Sequence, residues 1–175
     1  MADLSKICDD PKHQLFEQLE DVNAGMLGIQ GSDLHMQPMA HQLDKASERI
    51  VFFTTRDAEL TKALNGTEKA HFTIVSKDQD YHACMQGNLR EDRLEELIEK
   101  HWSPVVEAWF DGKDDPDMTV LVFTPENAKL WASTDSAIRF GWEILRGKMG
   151  DHDPDLGVTT EIEFMAGKAN TIAAE

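Results

Sequence analysis

The chain is poor in positive charge: 17 Lys and Arg stand against 33 Asp and Glu, for a formal net charge of −16. A nucleic-acid partner needs a basic face to neutralise phosphates, and no Lys/Arg cluster occurs, so that class of function is excluded. An anionic membrane surface is disfavoured for the same reason. Any anionic ligand must be held by local donors working against the field of the whole molecule.

Cysteine is scarce as well. Cys8 lies in the polar lead MADLSKICDD and Cys84 inside a strand-like run, which is no disulfide framework and fits a reducing compartment. No apolar run approaches the roughly 20 residues of a membrane span, and MADLSKICDDPKHQ has no apolar signal-peptide core. A cytoplasmic chain is expected. Neither common nucleotide fingerprint is present, G-x-G-x-x-G after a strand or G-x-x-x-x-G-K-[ST]. The nucleophile elbow G-x-S-x-G and the zinc motif H-E-x-x-H are missing too. No acid, base or nucleophile can be assigned a catalytic role from these patterns.

What is present is an ordinary globular composition, 41% hydrophobic and 29% charged, in 175 residues, enough for one domain with a real core. The expected division is a lead over 1–10, a single domain over 11–165 and a tail over 166–175. Leu15, Phe16, Leu19 and Val22 share a helical face, Pro11 suits the first turn, and Gly25 is the expected stop. GMLGIQ, LHMQPMAHQL and RIVFFT read as strands, with Pro38 confined to a sheet edge or a bulge. A helix after RIVFFT should turn Leu60, Ala63 and Leu64 inward and stop at Asn65–Gly66. KAHFTIVSK and YHACMQGNLR flank Asp78–Gln79–Asp80 as a hairpin. Leu94, Leu97, Ile98 and Trp102 mark a helix, and Pro104 restarts a turn expected to bury Val105, Val106 and Trp109. TVLVFTP and NAKLWA form a strand kinked at Pro125, Ile138, Trp142 and Leu145 a helix, and VTTEIEF a last strand. Strands linked by short turns, with few helices between them, predict a mainly β fold. The form expected is an antiparallel sheet or small barrel with peripheral helices, not a doubly wound parallel sheet.

Two constellations suggest metal and fail on spacing. His35 and His41 flank QPM an even number of residues apart, on one face of a strand, but no third ligand accompanies them. Asp151, Asp153 and Asp155 begin a calcium-loop pattern that breaks at Leu156 and Ile162, where Gly and Glu belong. No metal site is expected. The stretch ERIVFFTTRDAELTKAL is more informative. In one reading Thr55 or Asp57 simply caps the following helix. In the other, the hydroxyls of Thr54 and Thr55, the free N–H groups of the first turn and Lys62 converge on a small anion such as a phosphate. The spacing admits both.

The ordered set MLG, LHMQPM, VFFTTRDAELTKAL, YHACMQG, WSPVVEAWFDGKDDPD and LVFTPENAKLW resembles the FMN-binding split-barrel family related to pyridoxamine 5′-phosphate oxidase. Its general stress protein 26 branch is the nearest in pattern. The match runs from about Leu15 to Trp131. The resemblance implies a six-stranded antiparallel split barrel that forms a homodimer with FMN, or alternatively FAD, at the interface. By the same resemblance, the phosphate end of FMN meets Gln37, Pro38, Met39, Ala40 and Gln42 on one strand, the Phe53–Thr54–Thr55 strand end, and Lys62. This favours the anion seat. His82 matches a polar position near the flavin ring, and Trp131 matches a Trp delivered from the second subunit.

The chain also departs from the pattern. Gln37 stands where many relatives carry Arg, and losing a charge-assisted contact costs roughly 1.5–3 kcal/mol. Trp131 is followed by ASTDSAIRF, without the R-x-H-type segment that holds substrate phosphate in pyridoxamine phosphate oxidases, so that oxidase activity is not expected. The resemblance therefore implies a flavoprotein of the general stress type. It either runs an oxidoreductase reaction on an unknown acceptor or holds a flavin or other small ligand without turnover. A barrel that has lost its flavin is the third reading.

Overall fold

The computed structural model describes residues 4–133 and 157–165. Two short helices, α1 (Leu4–Asp9) and α2 (Pro11–Asp21), lead into the sheet. The Asp10 carboxylate accepts the His13 N–H at 3.1 Å and so caps α2, and Pro11 fills a first-turn position that needs no donor. The expected lead therefore carries a helix of its own. Ile7 on this helix is fully buried. Leu15 and Leu19 are buried as expected, but α2 ends at Asp21, before the glycine expected to stop it. Gly25 lies instead in β1 (Ala24–Ile29), where a Cβ would stand 2.4 Å from the Thr73 carbonyl oxygen and 2.6 Å from the Phe72 ring. Close approach explains this glycine, not a helix cap.

The remaining elements are β2 (Gln37–Ala40), β3 (Gln42–Asp44), β4 (Arg49–Thr55), α3 (Glu59–Ala63), β5 (Thr67–Val75), β6 (Tyr81–Glu91), α4 (Glu95–His101), α5 (Pro104–Glu107), β7 (Met118–Ser133) and β8 (Gly157–Glu163). They form one antiparallel sheet in the order β2-β1-β5-β6-β7-β4-β3, with β8 also paired to β7. The mainly β, antiparallel split-barrel architecture is confirmed, with eight strand segments in place of six. One extra segment arises because LHMQPMAHQL is not one strand. β2 and β3 lie at opposite ends of the sheet order yet are separated only by His41, so the chain crosses from one sheet edge to the other at that residue and curls the sheet toward closure. Pro38 sits on the terminal strand β2, opposite Met26, where its missing N–H costs no ladder bond. The segment β8 on the second half of β7 accounts for the other.

β7 divides at Pro125. Residues 121–123 lie between β4 and β6, and residues 127–132 between β6 and β8. The register skips Glu126 between Gly87↔Pro125 and Gln86↔Asn127, a bulge that bends the strand. Gly87 permits the bend, because a Cβ there would stand 2.2 Å from the Thr124 carbonyl oxygen. The bulged Glu126 is tied down by Lys69 Nζ at 2.6 Å and Asn88 Nδ2 at 2.9 Å.

Two apolar clusters explain the unalternating runs IVFF and TVLVF. Ile50, Phe52, Leu121 and Phe123 face the barrel interior with Phe72, while Val51, Met118, Val120 and Val122 face Leu97 and Ile98 of α4. Strands covered on both faces are apolar throughout. The short helices bury less than the sequence suggests. α3 is a single turn that buries Leu60 but leaves Ala63 exposed. α5 is likewise one turn, so only Val106 faces in, while Val105 and Trp109 are 68% and 81% exposed, contrary to expectation. The β5–β6 hairpin and the final strand VTTEIEF form as expected. The helix expected around Ile138, Trp142 and Leu145, the acidic triplet at Asp151, Asp153 and Asp155, and the tail lie outside the described residues. No helix among the described residues is long and apolar enough to cross a membrane.

Candidate functional site

The curl that brings β2 and β3 past the end of β4 leaves a cleft of about 870 Å³ between these strands, the end of α2 and the α5 turn. That volume lies within the roughly 300–1,000 Å³ of small-molecule sites. Pro38, Met39, Ala40 and Gln42 line it from β2 and β3, and Phe53, Thr54 and Thr55 from the end of β4. Val105, Trp109 and Phe110 form an apolar, aromatic side. Trp102 packs edge-on to Phe53, with ring centroids 6.3 Å apart, and holds that side against the strand. A second anchor is the buried Asp44 of β3. Burial raises its pKa, but Lys100 Nζ at 2.7 Å and the Ser47 N–H hold its carboxyl below the usual range, so α4 is pinned to the cleft strands by a charged contact.

Seven expected site residues thus meet in one cavity, and four do not. Gln37 lies beside the lining, its amide donating to the Glu59 carboxylate at 3.1 Å. Lys62 lies outside the lining on α3, where its charge acts on Asp57. His82 and Trp131 are opposite each other in the β6–β7 ladder, on the outer sheet face, and do not line the cleft. Within one chain the expected site is therefore in two parts.

The Thr54–Thr55 end is not a simple helix cap. Neither Thr55 nor Asp57 caps α3, whose N-cap is Ala58 with no side-chain bond. The Thr55 hydroxyl donates to Asp57 Oδ1 at 2.6 Å, and the Thr55 carbonyl accepts the Thr61 hydroxyl at 3.0 Å. The Thr55 hydrogen bond and then the Lys62 charge hold the Asp57 carboxyl below its ordinary pKa.

His41 is the site residue that the sequence pattern did not reveal. It lines the cleft, is 91% buried, and packs edge-on to Phe72 at 5.2 Å. Its Nε2 meets the Leu19 carbonyl at 2.7 Å, which makes Nε2 the protonated nitrogen and Nδ1 an acceptor. Nδ1 is buried without a hydrogen-bond partner. Only its corner position between β2 and β3 distinguishes it, and that position is invisible until the sheet closes. His35 is exposed ahead of β2 and shares no site with His41, and no cluster of metal-ligating groups occurs among the described residues.

Burial pushes the His41 pKa down, only partly opposed by its bond to Leu19. The unfolded chain therefore takes up the proton first, beginning near the ordinary His value of about 6.5. Above that pH His41 contributes no pH dependence; below it, stability falls until the folded-state pKa is reached. Urea unfolding at pH 7.5 and pH 5.5 should show this loss, and His41→Gln should reduce the slope by up to about 1.4 kcal/mol per pH unit. An unchanged slope in His41→Gln would mean that the imidazole titrates freely in the fold.

The architecture is thus an antiparallel split barrel with an apolar cleft that has hydroxyls at one end. The model of the family described as pyridoxamine 5′-phosphate oxidase like matches residues 10–155, and this chain belongs to that family. General stress protein 26 of Bacillus subtilis (strain 168) is 39% identical over 125 residues, 69% of this chain and 88% of the relative. A Jannaschia sp. CCS1 structure carrying the general stress protein 26 name is 33% identical, covers 89% of this chain and 99% of its own, and superposes with a TM-score of 0.73. The general stress FMN/FAD binding protein of Xanthomonas citri is 32% identical, covers 70% of this chain and 89% of its own, with a TM-score of 0.64.

Proposed function

We propose that this chain binds a flavin in the cleft, FMN in the first place and FAD as the alternative, and does so as a homodimer. The observation that carries the reading is the convergence of Pro38, Met39, Ala40, Gln42, Phe53, Thr54 and Thr55 on one cavity, the segments that the family resemblance assigns to FMN. Met39, Phe53 and Phe110 offer apolar surface to a ring system, and the two threonine hydroxyls offer polar contacts to a phosphorylated chain. The unpartnered Nδ1 of His41 is one acceptor beside that cavity. The flavin-binding relative at 32% identity supports the same reading.

A bound flavin would supply the electron-transfer chemistry, and the residues named here would orient it and keep its ring out of water. The dimer is supported by the outer sheet face. Met26, Val75 and Trp131, each more than a third exposed, share that face with His82, and a second chain laid over it would cover them. Lys62 and Gln37 would then act from beside the phosphate end, and His82 and Trp131 from the interface. Cys8 and Cys84 are unpaired, in keeping with a cytoplasmic location.

Turnover of an unidentified acceptor is the enzymatic form of this reading, and a stress-linked flavin carrier without turnover is the other. Reduction of bound flavin by NADH or NADPH separates them. Native mass spectrometry after incubation with FMN tests the common part. Two chains with two FMN are expected; a single chain that retains no flavin overturns the proposal.

A further inference from the structure

The Asp57 carboxylate stands just outside the cleft, bonded to Thr55 at the end where an anionic ligand would sit. Thr55 lines the cavity, but its one hydroxyl proton is committed to Asp57 Oδ1 at 2.6 Å. The charge of Lys62 acts on the same carboxylate and helps hold its pKa down. On the neighbouring side the Gln37 amide is held by Glu59. Arg56 and Lys62 thus share one short segment with Asp57 and Glu59, two cationic against two anionic side chains, in a molecule of net charge −16.

We infer that Asp57 is a specificity-determining residue: its carboxylate competes with a ligand's phosphate for the Thr55 hydroxyl and the Lys62 ammonium. A phosphate entering beside Thr55 has to displace the carboxylate or go without both donors. A ligand whose end is an uncharged hydroxyl has no such competitor, and can donate to Asp57 where it stands. Asp57 therefore narrows the advantage that a phosphorylated flavin has over its unphosphorylated form. The inference rests on the flavin reading of the cleft.

The test is fluorescence titration of FMN and riboflavin against the wild type, Asp57→Asn and Asp57→Ala. Asn can still accept from Thr55, so Ala frees that hydroxyl more fully. FMN should bind about tenfold more tightly to Asp57→Ala, with Asp57→Asn at or below that gain, while riboflavin, which loses an acceptor for its terminal hydroxyl, gains nothing. The inhibition constant of inorganic phosphate against FMN should be lower in both variants than in the wild type. Asp57 is exposed on a turn, and equal urea midpoints establish that the variants are folded. Glu96→Gln, which removes the same charge from the exposed face of α4, should leave FMN binding unchanged. An equal gain in Glu96→Gln, or no gain for FMN in either Asp57 variant, overturns the role of Asp57 and leaves the flavin site standing. No binding of FMN or riboflavin by any of the proteins overturns the flavin reading and this inference together.

Discussion

Phe72→Ala should cost about 3–5 kcal/mol of folding stability, the largest single effect expected in this chain. Phe72 is fully buried at the centre of the barrel, with ring centroids 5.1 Å from Phe52 and 6.4 Å from Phe123. The same ring approaches Gly25 from one side and packs against His41 on the other. Its neighbours come from β1, β4, β7 and the β2–β3 corner, so no single movement can close the cavity that Ala would leave. A domain of this kind has only about 5–15 kcal/mol in all, so the loss is a large share of it. The urea midpoint should fall with little change in m, since the surface exposed on unfolding stays nearly the same. A loss below about 1 kcal/mol would contradict the packing of the barrel interior. The change also removes the ring against which His41 rests, so the cleft and the core should fail together.

Much of this architecture was legible in the sequence because local chemistry and burial agree. The Gln79 turn between two alternating strands, the apolar runs of β4 and β7, and the edge position of Pro38 each follow from one residue type in one setting. Other elements were set by long-range packing. Gly25 looked like a helix stop and is a point of close approach to Phe72 and Thr73. His41 looked like part of a continuous strand and is the corner at which the sheet changes edge. Trp109 has helical spacing from both Val105 and Val106, yet a single turn can bury only one of the three.

The site divides in the same way. Pro38, Met39, Ala40, Gln42, Phe53, Thr54 and Thr55 converge because two short strands meet a third, and the family pattern contained all of them. His41, Trp109 and Phe110 also line the cleft, but their contribution depends on the curl of the sheet and the angle of α5, which no periodicity records. The contact between Thr55 and Asp57 was equally hidden, since spacing suggested that either one would cap α3.

Lys62→Ala is the second large effect, and it falls on binding. In the flavin reading Lys62 faces a phosphate dianion once the ligand is bound, and its removal takes away a charge-assisted contact that nothing nearby replaces. Gln37 is neutral and engaged with Glu59, and among the described residues no lysine or arginine lines the cleft. FMN affinity should therefore fall by roughly ten- to a hundredfold. Thr54→Val should cost less, about 1 kcal/mol, because a neutral hydroxyl is lost while the strand keeps its pairing with Thr119. Fluorescence titration of FMN and riboflavin against wild type and Lys62→Ala tests the central claim most directly. The account predicts weaker FMN binding in Lys62→Ala and riboflavin binding that is the same in both proteins; equal FMN affinity in the two would contradict it.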